Sequence, residues 1–254
     1  MNPCQSDGIF LLNETGNEFF KVGSISEAAE YYKQAICCLT GSSSGIRVRS
    51  LKLQHRLLKL LHTQASPLSL QQYDADLEDF DYWHQVSAMS VMFNMALVYF
   101  VTNKIAESEG LLVLVLRAAG IQIPVLDEET RISEILEEIE SKDREQFCHV
   151  VVCSLHLLGQ ILCLQISPLN LNHEQFNDAL DDGIRSLILG IKLGRSYLTR
   201  YHPVIGWICS TLGHALIKAH RIEEAIRTFE YALIIAANVA VSLDDGNHST
   251  APAA

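Results

Sequence analysis

The sequence predicts an all-α fold, in which antiparallel helix pairs stack into a superhelix with helical insertions between the pairs. Two observations predict this class. Small residues recur at fixed spacings in four segments, and 48% of the 254 residues are hydrophobic while only 6 are proline. A chain of this composition can bury a large core.

Charge and cysteine content narrow the expected partners and compartment. The chain has 30 acidic and 19 basic residues, which gives a formal net charge of −11. Because nucleic acids and anionic membrane surfaces attract basic proteins, we expect neither as a partner. Residues Met1 to Asp7 lack the features of a signal peptide, and an odd number of cysteines, 7, argues against a disulfide framework. We therefore expect a cytoplasmic protein.

Three of the four segments share one spacing of small and large residues. A small residue lies four positions after one core residue and three positions before the next. A second small residue follows the first small residue by twelve positions. Two further core residues lie four and seven positions after the second small residue. The three sets are Leu12, Gly16, Phe19, Ala28, Tyr32 and Ala35; Met92, Ala96, Tyr99, Ser108, Leu112 and Val115; and Cys209, Gly213, Leu216, Ala225, Phe229 and Ala232. Small residues let two antiparallel helices approach closely, so we expect helix breaks near Gly23, Asn103 and His220.

The remaining segment, third along the chain, is longer. Its core and small residues are Leu155, Gly159, Leu162, Gly183, Leu187 and Gly190. Gly183 follows Gly159 by 24 positions rather than by twelve. We expect a loop around Ile166–Asn170 to hold the extra residues.

This pattern resembles the tetratricopeptide repeat (TPR) family. The residues that carry the resemblance are Gly16–Phe20 with Ala28, Tyr32 and Ala35, and Leu212–Gly213 with Glu224–Ile226 and Phe229–Leu233. His202–Val204, preceded by Leu193–Gly194, is similar to the longer repeats of kinesin light chains. The resemblance implies a single TPR-like α-solenoid domain over residues 1–243, with repeats at about 9–41, 85–119, 146–194 and 202–242, and a disordered tail over 244–254.

The repeats are separated by insertions. The first small residue recurs at Gly16, Ala96, Gly159 and Gly213, in steps of 80, 63 and 54 positions, whereas a plain TPR repeats about every 34 residues. We expect an extra helix over Ile46–His62 and another over Asp127–Glu140, where apolar residues recur at helical spacing.

The resemblance implies that the first helix of each pair lines a concave groove. No Asp, Glu, Lys or Arg occurs in 82–103, 146–173 or 201–217, so three of these four helices are uncharged. The implied groove residues are Phe10, Asn13, Asn17, Phe20, Phe93, Asn94, Leu97, Phe100, His156, Gln160, Trp207, Ser210 and His214. Amide and aromatic groups suit an extended or helical peptide. We expect a non-enzymatic adaptor or scaffold that binds such a peptide. The alternative is a structural subunit in which the insertions of the chain itself fill the groove.

Some TPR modules hold a partner's C-terminal carboxylate with lysines, asparagines and an arginine. Asn17 and Asn94 match the two amides, but Asn13 stands where the first lysine is expected, and the positions of the third repeat are Cys153 and Leu157. A buried carboxylate without cations would be costly, so we do not expect this mode of binding.

A metal site is the alternative from another class. His149, Cys153 and His156 are spaced i, i+4 and i+7, so they share one helix face and have the donors that zinc accepts. Four ligands are needed, however, and Cys163 lies about 10 Å further along the axis. The fourth ligand would therefore have to come from elsewhere, for example from Cys209 or His214. Ordinary packing is the simpler interpretation. With no phosphate-binding loop and no nucleophile elbow in the sequence, we expect neither a cofactor nor catalysis.

Two apolar stretches raise other possibilities. Gln146–His173 is long enough to span a membrane, but polar residues and Pro168 interrupt it, so we favour a buried repeat helix. The helix expected over 222–242 is apolar nearly all round from Tyr231 to Val241. Because such a helix is usually covered on more than one side, we expect it to contact a second copy of the chain or another protein.

Overall fold

The computed structural model describes residues 3–41, 82–121, 141–165 and 173–248, and every regular element within these ranges is helical. Eight α-helices are described: α1 (Pro3–Lys21), α2 (Ile25–Gly41), α3 (Tyr82–Val101), α4 (Ile105–Ala118), α5 (Ser141–Gln160), α6 (His173–Tyr197), α7 (Pro203–Lys218) and α8 (Ile222–His248). A π-helical turn, Ile161–Gln165, continues α5. The prediction of an all-α fold is confirmed for these residues. The insertion helices expected over Ile46–His62 and Asp127–Glu140, and the loop around Ile166–Asn170, lie outside them.

The described helices fall into two compact units. The first contains α1 to α4 and the second contains α5 to α8. Within each unit consecutive helices pack in pairs: α1 with α2, α3 with α4, α5 with α6, and α7 with α8. The first helices of the two pairs also touch in each unit, α1 with α3 and α5 with α7.

The predicted small residues lie where the paired helices approach each other. A Cβ atom added to Gly16 would lie 2.5 Å from Tyr32 Cε1, and one added to Gly213 would lie 2.5 Å from Phe229 Cζ. In the α3–α4 pair the Ser108 hydroxyl donates a hydrogen bond of 2.8 Å to the carbonyl of Ala96. These contacts confirm the prediction of close packing, because a larger residue would collide with the facing helix.

Three of the helix pairs turn in the same way. Gly23, Asn103 and His220 have left-handed backbones, with φ of 81°, 60° and 59°. Each follows the first small residue of its pair by seven positions. At each turn the N–H of the left-handed residue and the N–H of the next residue bond back to the preceding helix, at 2.8 to 3.0 Å, as in a Schellman motif. The predicted helix breaks are confirmed at these three positions.

Two boundaries differ from the expectation. The tail predicted from residue 244 is helical as far as His248, because α8 continues to that residue; adding residues to an established helix costs much less than starting one. The first repeat was expected from about residue 9, but α1 begins at Pro3. The helix α7 begins with Pro203 in its first turn, and His202 is the N-cap that accepts from the Val204 N–H.

One described helix, Arg144–Leu164, is long and apolar enough to cross a membrane by length and composition. In this structure 67% of its most apolar window is buried inside the protein. Since α5 packs against α6 and α7, burial within the second unit accounts for its composition.

Candidate functional site

Three asparagines and a tyrosine join α1 to α3 in the first unit. The Asn94 side-chain nitrogen donates to Asn13 Oδ1 and to Asn17 Oδ1, both at 2.9 Å. The Tyr32 hydroxyl from α2 donates to the same Asn17 oxygen at 2.9 Å. Burial is the main cause that raises the pKa of Tyr32 to about 12, so its hydroxyl keeps its proton at neutral pH. We call these four residues the amide cluster.

The amide cluster leaves one donor group and one acceptor unbonded within the described residues. Among the described residues, Asn13 Nδ2 and Asn94 Oδ1 have no hydrogen-bond partner, whereas Asn17 Nδ2 donates to Glu14 at 3.2 Å. A peptide group offers one N–H and one C=O. Asn13 is only 9% exposed and Asn94 is partly exposed, so an incoming peptide group would meet the Asn94 oxygen first.

Apolar side chains accompany the amide cluster on the same two helices. Phe20, Phe93, Leu97 and Phe100 are each partly exposed, and Phe10 is well exposed. Helical spacing places Phe10 and Phe20 on the α1 face of Asn13 and Asn17. Of the predicted residues, the structure thus brings Asn13 and Asn17 of α1 together with Asn94 of α3.

In the second unit, a histidine and a threonine join α5 to α7. His156 Nε2 lies 2.9 Å from Thr211 Oγ1, and the Thr211 hydroxyl donates to the Trp207 carbonyl at 3.1 Å. Because the hydroxyl proton is used in that bond, we infer that His156 Nε2 donates to Thr211 Oγ1. Around this pair lie predicted residues that are exposed or partly exposed: Gln160, Trp207, Ser210 and His214. We call this surface the tryptophan face.

Burial keeps three titratable side chains of α5, those of His149, Cys153 and His156, uncharged at neutral pH. It lowers the pKa of His156 to about 4 and raises the pKa of Cys153 to about 12. Burial also lowers the pKa of His149, helped by the nearby His202 ring and opposed by Glu145. At neutral pH these three side chains are therefore an imidazole, a thiol and a second imidazole, which extends the lack of charge seen in the sequence.

The predicted metal-binding residues do not converge. His149 Nε2 lies 3.8 Å from Cys153 Sγ, but His156 turns to Thr211 on α7. Cys163, in the π-helical turn after α5, is buried with its thiol toward the Leu180 carbonyl. In the part of the chain that the structure describes, no group of three His, Cys, Asp or Glu side chains is placed to hold a metal ion.

Three contributors were not identified from the sequence. Tyr32 was recognised only as a core residue, although its hydroxyl completes the amide cluster. Thr211 lies one turn after Trp207, and that spacing was the only signal for it. His202 packs edge to face on His149 with ring centroids 5.5 Å apart, a contact that depends on how α7 docks on α5. Residues 46–81, expected in the alternative to fill the groove, lie outside the described residues.

No protein-family model matches this chain, and no similar protein was found among the curated proteins or the solved structures. The function is therefore inferred from these surfaces.

Proposed function

We propose that the chain is a TPR-like adaptor or scaffold, without catalytic activity of its own, that binds a peptide or helix of another protein on uncharged surfaces of its first helices. The amide cluster serves this role in the first unit and the tryptophan face in the second.

The TPR-like part of the proposal is supported by the registers of three helix pairs. Gly16, Ala96 and Gly213 are each followed seven positions later by a left-handed residue and twelve positions later by a small residue. Gly16 and Gly213 lie against the facing helix of their pairs, and Ser108 bonds to Ala96 across the α3–α4 contact. A repeated structural unit is expected to keep the same number of residues from its first small residue to the turn and to the second small residue. Unrelated helical hairpins are not expected to share both spacings.

The single observation that carries the binding role is the exposure of Trp207, whose side chain is 63% accessible on an ordered helix. A large rigid ring that is left in water costs free energy, and its burial by a partner recovers it. Trp is among the residues most often found at binding hot spots. The neighbouring His156 and Thr211 already bond each other, so the ring lies beside a neutral, satisfied surface.

The charge state limits the class of ligand. A strongly charged peptide segment would lose hydration at the tryptophan face without meeting a charge there, which is unfavourable. An apolar or amide-rich segment would lose little hydration free energy at this face. The ligand we propose is therefore a peptide or helix whose contacting residues are uncharged, with backbone amides bonded by Asn13 and Asn94.

Selection of peptides from a displayed random library, followed by fluorescence polarisation with the full chain, tests the proposal. For a selected peptide, Trp207→Ala or Phe93→Glu is expected to weaken the Kd by about tenfold or more, because each removes an apolar contact. Val22→Glu, at an exposed position between α1 and α2, is the control and should leave the Kd unchanged. If no peptide binds, or if both test variants bind as the wild type does, the proposal is wrong.

A further inference from the structure

The first turn of α7 is capped by a histidine ring. The backbone N–H of Val204 donates to His202 Nδ1 at 3.3 Å. Because Pro203 has no N–H, this is the first N–H that the helix presents. A backbone N–H can only donate, so His202 Nδ1 must carry a lone pair and the ring proton must be on Nε2. The cap therefore exists only while His202 is uncharged.

Histidine at this position makes the cap depend on pH. The side chains usually found there, those of Ser, Thr and Asn, accept hydrogen bonds whether the solution is neutral or mildly acidic. An imidazolium ring has two donors and no acceptor. It would also place a positive charge at the positive end of the helix dipole. Protonation of His202 thus removes the cap and adds repulsion at the same point.

A second histidine lies against the capping ring. His149 of α5 packs edge to face on His202, with ring centroids 5.5 Å apart. Burial, and after it the neighbouring His202 ring, lower the pKa of His149. The two rings cannot both gain a proton without repulsion between them. Acid therefore weakens the contact between α5 and the start of α7 whichever ring is protonated.

The charged and titratable groups around the two rings offer little compensation. On α5, Glu145 favours a charge on His149 but acts more weakly than burial and the second ring, and Cys153 is a neutral thiol. In the turn before α7, Arg200 is positive and stacks on the ring of the residue that follows it. No Asp or Glu occurs from 183 to 222, so the end of α6, this turn and α7 supply no carboxylate.

We propose that His149 and His202 form an acid-sensitive switch that releases the first turn of α7 and thereby weakens peptide binding at the tryptophan face. The N–H of each helical residue bonds to the carbonyl four positions earlier, so the position of Trp207 depends on the first turn. The cap is complete at neutral pH and is lost as the pH falls. The switch follows from the contacts of the two histidines, whereas its effect on binding rests on the proposed function.

Hydrogen–deuterium exchange of the full chain at pH 7 and pH 5, corrected for the intrinsic exchange rate at each pH, tests the switch without a ligand. In the wild type we expect the protection of residues 204–210 to fall by about tenfold more than that of α6, the combined weight of a lost cap and an added charge. His202→Asn keeps a cap that does not titrate, so both segments should respond alike. His214→Gln, at an exposed position of α7, is the control and should respond as the wild type does.

Fluorescence polarisation with an uncharged peptide whose binding needs Trp207 gives the second test. We expect its Kd to weaken by about tenfold from pH 7 to pH 5 in the wild type and by clearly less in His202→Asn. Three results would each overturn the proposal: wild-type protection of 204–210 that follows α6, a His202→Asn variant that responds as the wild type does, or equal Kd values at the two pH values. If no peptide binds at pH 7, the proposed function is wrong, while hydrogen exchange still decides the switch.

Discussion

The glycines at the helix contacts act through the space that they leave. At Gly159, the facing Leu187 is fully buried, and a Cβ atom added to the glycine would lie 2.5 Å from Leu187 Cγ and 3.1 Å from the Gly183 carbonyl oxygen. Gly183 in turn lies against the Cys163 thiol. Neither neighbour can withdraw easily, since both belong to the packed core between α5 and α6.

We predict that Gly159→Ala lowers the free energy of unfolding by about 1–3 kcal/mol, the usual cost of overpacking. Chemical denaturation measures it. Gly8→Ala is the matched control, because Gly8 also lies in a helix but its added Cβ atom has nothing within 4 Å. The control should be neutral or stabilising by up to about 1 kcal/mol, as expected for Gly→Ala in an exposed helix. Equal destabilisation of the two variants would contradict the role given to Gly159.

His156 provides a second residue-scale prediction, on the dependence of stability on pH. Burial lowers its pKa from 6.5 to about 4. Between these values the unfolded chain binds more protons than the folded one, so acid favours unfolding. The contribution of His156 to the free energy of unfolding is complete above pH 6.5 and decreases as the pH falls toward 4.

Lowering the pH from 7 to 5 should therefore cost about 2 kcal/mol of stability through this residue. We predict that His156→Gln reduces the loss measured by urea denaturation at the two pH values, although it lowers stability at pH 7. His214→Gln, at an exposed position of α7, serves as the control and should keep the wild-type loss. An undiminished loss in His156→Gln would show that other groups cause the pH dependence.

At the scale of the element, the hairpin turns use one backbone conformation with three different residues. Glycine takes the left-handed conformation at Gly23 without strain, whereas His220 takes it with φ of 59°. For a residue with a Cβ atom this conformation costs roughly 1–2 kcal/mol. Substitution by glycine would relieve this strain. Part of the gain in stability would be cancelled, because glycine loses more backbone entropy on folding.

We predict that His220→Gly raises the free energy of unfolding by up to about 1 kcal/mol, and that Gly23→His lowers it by a similar amount. Thermal unfolding of the two variants checks both directions. The reciprocal design separates the backbone effect from the lost side chain, because His220 is exposed and its removal costs little packing. A destabilised His220→Gly variant would mean that its side chain has a structural role.

At the scale of the whole molecule, charge is absent from three stretches of the chain, 82–103, 146–173 and 201–217, which supply most of α3, α5 and α7. The described ion pairs are local and largely exposed, such as Lys21 with Glu18 and Arg221 with Glu224. Such pairs contribute little to stability, so apolar burial and small-residue contacts hold the helix pairs together.

Much of this architecture could be predicted from the sequence. The all-α class, the helix breaks and the small-residue contacts follow from spacing along a helix, which is a local property. The uncharged stretches could likewise be read directly, since charge is a property of residue type, although α5 begins earlier than they do and carries four charged residues at its start, Lys142–Glu145. Of the predicted surface residues, Asn13, Asn17 and Asn94 meet in one cluster, although 77 positions separate the last two.

Only the tertiary structure decided which of these residues contact one another. His149, Cys153 and His156 share a helix face by spacing, but the docking of α7 directs His156 to Thr211 and sets His202 against His149. Periodicity along one helix specifies a face and leaves open what lies opposite it. The division into two compact units, the hydroxyl of Tyr32 in the amide cluster and the exposure of Leu233 depend on distant segments packing together, so the spacing of residues along the chain could not reveal them.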